Sequence, residues 1–228
     1  MPSVSVVVPT LDEETTIVRA LDHLAAQRPP VQVIVADGGS RDATVALARS
    51  HRAGATVVVA PRGRARQMNA GAERADGELL VFLHADTRLP PGAGAALASL
   101  ARRPEVAGAN FALRFDGHGA FPRLLGAWYA AQRRWGVFYG DSVIVVRASA
   151  FRRLGGYPDV PIMEDLLMAR ALARLGPTRC LPGPAVTSGR RWRRQGIPRT
   201  VASWLLVRWL FAAGVPARRL ARLYPPVR

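Results

Sequence analysis

Four near-continuous apolar runs, at residues 4–8, 31–36, 56–60 and 79–83, punctuate the first hundred residues, and each is followed by a segment of helical periodicity. The helical segments run from about residue 14 to 26, with Ile17, Leu21 and Leu24 on one face, and then over 42–50, 65–75 and 91–102. A strand that is apolar at nearly every position is buried on both faces. Such strands alternating with helices predict an α/β fold with a Rossmann-like, mostly parallel central sheet covered on both sides. Pro9 is expected to end the first strand. Polar residues gather where the runs stop: Asp37 after the second, His84 and Asp86 after the fourth. Open α/β sheets bind ligands at these carboxyl ends.

After residue 105 the rhythm changes. Residues 106–115 read as a longer, broken strand, 121–135 as an aromatic helix, 142–146 as a strand, 148–154 as a short helix and 163–175 as another helix. Short extended pieces follow at 179–181 and 186–187. From Gly196 one long apolar helix is expected, broken near 214–216 and followed by a short helix to Leu223. Without repeats or long linkers, the reading is one domain. It comprises a nucleotide-binding half (1–104), an acceptor half (105–195) and C-terminal helices (196–228). A chain of 228 residues, 49% apolar and 21% charged, supports such a core without disulfides, and its single Cys180 forms neither an internal disulfide nor a cysteine zinc site.

Charge is distributed unevenly. Residues 1–100 carry 10 basic and 10 acidic side chains, whereas 101–228 carry 22 and 6; every basic residue is arginine, and after Asp165 there are 13 arginines and no acid. This one-sided field attracts phosphates, nucleic acid or anionic lipid. No signal peptide is visible. The longest apolar stretch, residues 201–215, is too short to span a bilayer but suits lying on one. A cytoplasmic protein is expected, with peripheral contact at the inner face of the membrane as an extension of that reading.

Each polar constellation has a functional and a plain structural reading. Asp37, followed by two glycines, can accept hydrogen bonds from a base or ribose, or it can simply shape a turn. Gly63 opens a segment whose arginines, Arg66 among them, can face a phosphate or remain solvated. The segment lacks the Lys and Ser/Thr of a Walker loop. In His84-Ala85-Asp86 a carboxylate just past a buried strand can hold Mg²⁺ or Mn²⁺ against a diphosphate, or cap the next helix. Glu164-Asp165 suits a helix N-terminus through the macrodipole and also suits a general base. Arg190-Arg191-Trp192-Arg193-Arg194 reads as a diphosphate clamp or as a solvated loop.

Taken in order, the segments VVVPTLDEE (6–14), ADGGSRDAT (36–44), GRARQMNAGA (63–72), LLVFLHADT (79–87), GDSVIVVRASAFRRLGGYP (140–158), MEDLLMARAL (163–172) and SGRRWRRQG (188–196) cover nearly the whole chain. The ordered set resembles the GT-A-fold glycosyltransferases of family 2, within them the compact bacterial group labelled as arsenosugar-biosynthesis or cell-wall glycosyltransferases. The resemblance implies a base and ribose pocket at Pro9, Thr10, Leu11 and Glu13, with Asp37 on the nucleobase. It places Gly63, Arg66, Asn69, His84, Ala85, Asp86, Arg190 and Arg191 around the donor. Asp86 matches the last Asp of the DxD-type metal motif, and Asp165, beside Glu164, matches the base of inverting members. His84 departs from the first Asp of DxD. The Gln-x-x-Arg-Trp motif of processive synthases is absent.

The resemblance therefore implies a non-processive, inverting transfer from a nucleoside-diphosphate sugar, UDP-sugar favoured, with Mn²⁺ or Mg²⁺ at Asp86. Its acceptor would be a hydroxyl, with a lipid-linked acceptor, an anionic membrane surface and a homo-oligomer as further expected partners. A nucleotidyltransferase is one alternative, but residues 9–13 lack the Gly-rich basic loop usual there. A non-enzymatic nucleic-acid-binding protein is another, invited by the net charge of +16 but unsupported by any nucleic-acid motif. No nucleic acid is expected as partner.

Overall fold

The computed structural model describes residues 4–135 and 137–224. The final four residues of the C-terminal segment, 225–228, lie outside the described residues. A single seven-stranded sheet has the order β3-β2-β1-β4-β6-β5-β7. The strands are β1 (Val4–Thr10), β2 (Gln32–Asp37), β3 (Thr56–Val59), β4 (Leu79–Phe82), β5 (Gly108–Phe115), β6 (Ile144–Arg147) and β7 (Thr178–Thr187). β1 pairs in parallel with β2 and β4, and β5 pairs in parallel with β7. β6 runs antiparallel between β4 and β5. The mixed α/β architecture expected from the apolar runs is present.

Alternation along the strands sorts the core into two layers. Val6, Val8, Val33, Val35 and Val81 face one side. There they meet Ile17, Leu21 and Leu24 of α1 (Glu14–Ala25), Ala48 of α2 (Thr44–Ser50), and Leu97 and Leu100 of α4 (Ala93–Ala101). Val7, Ile34, Leu80, Phe82, Ile144 and Val146 face the other. They pack on α3 (Arg64–Ala72), α6 (Ala148–Leu154) and α7 (Glu164–Leu175) through residues such as Met68, Phe151 and Met168. At Gly71 of α3 an added Cβ would lie 2.4 Å from Val7 Cγ1, so glycine lets this helix settle closely onto β1. Outside these layers lie α5 (Ala120–Arg134), α8 (Arg190–Gln195), α9 (Ile197–Ala212) and α10 (Ala217–Leu223). Phe115, Leu125 and Trp192 form a third, smaller cluster among them.

Three expectations need correction. Pro9 does not end β1, which continues to Thr10. Pairing with β4 stops at Val7↔Phe82, so the missing N–H of Pro9 falls where that side of the strand requires no donor. The two pieces 179–181 and 186–187 are one strand, β7. Its pairing with β5 skips from Phe111↔Leu181 to Ala112↔Pro184, and the extra Pro182 and Gly183 (φ 81°) form a bulge. The basic patch at 190–194 is helix α8 rather than a loop. Asp116 and Ser188 accept from the N–H groups of Gly189 and Arg190, and Trp192 anchors the helix in the core.

Candidate active site

The parallel strands end side by side, and their loops are laced together. Arg41 N–H donates to Asp12 Oδ1 (2.8 Å), Glu13 N–H to Thr44 Oγ1 (2.8 Å), and Ala43 N–H to Glu14 Oε2 (3.0 Å). Gln67, projecting from α3, donates to the carbonyls of Thr10 (2.6 Å) and Ala36 (3.0 Å), fixing the ends of β1 and β2. Asp37 is buried. It accepts from Thr10 Oγ1, Ser40 Oγ, and the N–H groups of Gly39 and Ser40. Those four bonds use the capacity of a carboxylate. Asp37 therefore shapes the loop, and a nucleobase contact would require one of these bonds to be exchanged.

Arg190 of α8 bridges the next pair of loops. Its Nη2 donates to Asp86 Oδ2 (3.1 Å) and Glu13 Oε1 (3.3 Å), while Thr16 Oγ1 holds the second Glu13 oxygen at 2.6 Å. Burial pushes the Asp86 carboxyl above its ordinary range; Asp141 and Glu13 add to this, and His84 and Arg190 oppose it. The Arg191 guanidinium lies 4.1 Å over the Tyr224 ring, and its charge reaches Asp141.

On the acceptor side, His84 Nδ1 lies 3.3 Å from Asp141 Oδ1. The Asp141 side chain is 41% exposed; the protein around it pushes its pKa up, but the hydrogen bond and charge of His84 together with Arg64 and Arg191 outweigh this and hold it below the ordinary range. Asp165 receives the Gly140 N–H on Oδ2 (2.9 Å) and the Leu166 N–H on Oδ1 (2.7 Å). Gly140 leaves room here: a Cβ would lie 3.0 Å from His84 Nε2 and 3.5 Å from Asp165 Oδ2, so the imidazole would have to give way slightly. Glu164 is almost fully buried and takes a hydrogen bond from Arg64 Nη1 at 3.0 Å. Burial raises its pKa against the pull of Arg64, with Asp165 adding repulsion. Among the described residues, three non-glycine residues adopt left-handed backbone: Asp12 (φ 54°), Val143 (φ 63°) and Met163 (φ 67°). They flank respectively the β1 loop, the Gly140-Asp141-Ser142 turn and the Glu164-Asp165 pair. Strain of this kind persists only where the surroundings over-determine it.

The structure thus brings Glu13, His84, Ala85, Asp86 and Arg190 to one rim, and Glu164 and Asp165 to the other through Gly140 and Asp141. Pro9, Thr10 and Leu11 lie at the adjoining strand end, and Gly63 (φ 139°) opens α3 beside them. Two expected donor residues are engaged elsewhere. Arg66 forms a two-pronged pair with Asp159 at 2.8 Å, and the Asn69 side chain both donates to and accepts from the Tyr157 backbone. Arg64, two positions before Arg66, instead points to Glu164, to which its Nη1 donates at 3.0 Å. Positions i and i+2 point to opposite sides of a helix, so which partner each meets depends on a helix phase that the spacing of the two arginines leaves open. Asp141 was also missed, although Gly-Asp-Ser directly before a buried strand is a signal of the same kind as His-Ala-Asp directly after one.

Among the described residues, no three His, Cys, Asp or Glu side chains are grouped as a protein-only metal cage, and no helix is long and apolar enough to cross a membrane. In comparisons with known proteins, the family model for glycosyl transferase family 2 matches residues 5–153. Cellulose synthase 1 of Komagataeibacter xylinus is 27% identical over 199 residues, covering 77% of this chain but 13% of that protein. The chain therefore spans a small part of the curated relatives it matches. A mannosyltransferase from Pyrobaculum calidifontis, solved in complex with GDP-Man and Mn²⁺, matches with a TM-score of 0.66 and 28% identity over 82% of this chain and 56% of its own. Glucosyl-3-phosphoglycerate synthase from Mycobacterium tuberculosis, in complex with Mn²⁺, UDP and glucosyl-3-phosphoglycerate, shares the fold with a TM-score of 0.60 and 22% identity over 91% of this chain and 80% of its own. The extent of the family match and the GT-A architecture of the neighbours agree with the ordered motifs: the chain belongs to glycosyltransferase family 2.

Proposed function

We propose that the chain transfers a sugar, one residue at a time and with inversion, from a nucleoside-diphosphate donor to an acceptor hydroxyl. UDP-sugar is the favoured donor, although the neighbour at 28% identity was solved with GDP-Man. The observation that carries the reading is Asp165, whose oxygens accept from the N–H groups of Gly140 and Leu166, with Gly140 set between it and His84. A carboxylate held there removes the acceptor proton. Arg190 supplies a guanidinium with bidentate capacity for the departing diphosphate, and its present partners, Asp86 and Glu13, are released when phosphate takes their place.

The donor set fits a divalent ion. Asp86, with the charge of His84 acting on it, supplies a carboxylate of the kind that suits Mn²⁺ or Mg²⁺, and such ions need only one or two protein ligands when phosphate supplies the rest. When bound, the ion provides counter-charge to the diphosphate. Thermal shift with UDP, GDP and their sugars, with and without Mn²⁺, tests the donor assignment, because a specific ligand stabilises the folded state by mass action. A metal-dependent stabilisation by one nucleoside diphosphate is expected, and Asp86→Asn should remove most of the metal-dependent part. Equal diphosphate affinity in wild type and Asp86→Asn with metal present overturns the metal assignment. The anomeric configuration of the product, read by NMR, tests inversion.

A further inference from the structure

Eight of the ten large apolar side chains exposed in the described structure occur after residue 123, concentrated on and around α5 and α9. On α5, Leu124 and Trp128 stand one turn apart and open to solvent, and Trp135 just beyond the helix is 77% exposed. On α9, Leu205, Leu206 and Trp209 are exposed, Trp209 by 67%. The helix has a different face for the protein. Thr200 and Val207 are buried, Trp204 packs edge-on against Trp192 and donates to the Tyr224 hydroxyl, and Phe211 lies under Arg170. The two helices are joined where Arg208 of α9 donates to Gln132 of α5 and to the Tyr139 hydroxyl. The stripe of Val201, Leu205, Trp209 and Ala212 is therefore not the packing face of α9. It is a second apolar face left open, and a helix apolar on opposite sides needs a second covering.

Charge selects the covering. No acidic residue occurs anywhere in α5, α9 or α10, whereas Arg123, Arg134, Arg199, Arg219 and Arg222 are exposed on them. A two-fold contact of this face with a second copy would set arginine against arginine, with no carboxylate on either side to pair. An anionic lipid surface answers both features at once. It takes up exposed tryptophan and leucine at headgroup depth and neutralises the arginines.

We propose that α5 and α9 together form a face that lies on an anionic membrane surface, the apolar stripes inserting and the flanking arginines meeting lipid phosphate. The inference is independent of the reaction, since its test involves no turnover. The full chain is sedimented with vesicles of phosphatidylcholine alone and of phosphatidylcholine mixed with phosphatidylglycerol, at rising ionic strength. The chain is expected to bind the anionic vesicles, with the bound fraction falling as salt screens the arginines. The double substitution Leu205→Ser, Trp209→Ser is expected to weaken partitioning roughly tenfold or more while leaving the thermal transition in place, because both side chains are already solvated. The exposed Trp128, Trp135 and Trp209 also report together: the tryptophan fluorescence should shift to the blue with anionic vesicles. Absence of binding to anionic vesicles at low salt, or binding that the double variant retains in full, overturns the proposal. So does a concentration-dependent dimer that the double variant converts to monomer and that excludes vesicles.

Discussion

Arg64 and Glu164 form an asymmetric pair. The carboxylate is buried and the guanidinium half-exposed, so removing either partner leaves a very different remainder. Glu164→Gln leaves an arginine that water can reach. Arg64→Ala strands a buried carboxylate next to Asp165, at a cost of roughly 1–3 kcal/mol, below the range for fully buried pairs because solvent reaches one end. The sign with pH follows from the raised pKa of Glu164, caused first by burial. A carboxyl whose folded pKa exceeds its unfolded value favours the folded state below the unfolded pKa, and that contribution is lost as pH rises through the folded one. Arg64→Ala removes the group that opposes this shift, so its destabilisation should be larger at neutral pH than at pH values near the ordinary carboxyl range. Urea denaturation of both variants across that interval checks it, and a pH-independent loss in Arg64→Ala would contradict it. Tyr157 offers a second case. Its hydroxyl is buried with no hydrogen-bond partner among the described residues, although its ring packs edge-on against Phe82 at 4.8 Å. Tyr157→Phe keeps the ring and removes the orphan, so stability should hold or rise by about 1 kcal/mol; a loss of that size would reveal a partner for the hydroxyl.

At the level of elements, α3 connects stability to the site. The same nine-residue helix carries Gly71 against Val7, Gln67 across the ends of β1 and β2, and Arg64 to Glu164. Gly71→Ala pushes the helix off β1 by overpacking, at roughly 1–3 kcal/mol, and should lower both Tm and nucleotide affinity, because Gln67 and Arg64 move with it. Calorimetry on the variant tests this, and an unchanged Tm would show that the sheet yields instead. The elements readable from sequence were those with an unbroken pattern. The valines of β1 and the Ile17, Leu21 and Leu24 spacing of α1 specify their structures locally. β7 was read as two pieces because Pro182 and Gly183 imitate a break, and only the partner strand β5 shows that the ladder resumes beyond them. α8 was hidden by its charge, since its stability comes from the burial of Trp192 and from capping by Asp116, 76 residues upstream of Trp192.

For the molecule as a whole, the two rims of the site come from different parts of the chain and meet only through the sheet order. β6 inserts antiparallel beside β4, setting Asp141, in the turn that leads into it, next to His84, in the loop that leaves β4. Periodicity cannot reveal such a meeting, so the acidic motifs were legible singly and their pairing was not. That Arg64 pairs with Glu164 while Arg66 pairs with Asp159, and that Asp37 is saturated, are likewise tertiary facts. The proposed mechanism divides labour between the rims, with donor and diphosphate at Asp86 and Arg190 and proton removal at Asp165. That division is tested most directly by measuring donor affinity and turnover together in Asp165→Asn, with metal present and an identified acceptor. If Asp165 is the base, donor affinity stays close to wild type while turnover falls roughly 10²-fold or more. Near-normal turnover, or a loss of turnover explained entirely by lost donor binding, would contradict the assignment.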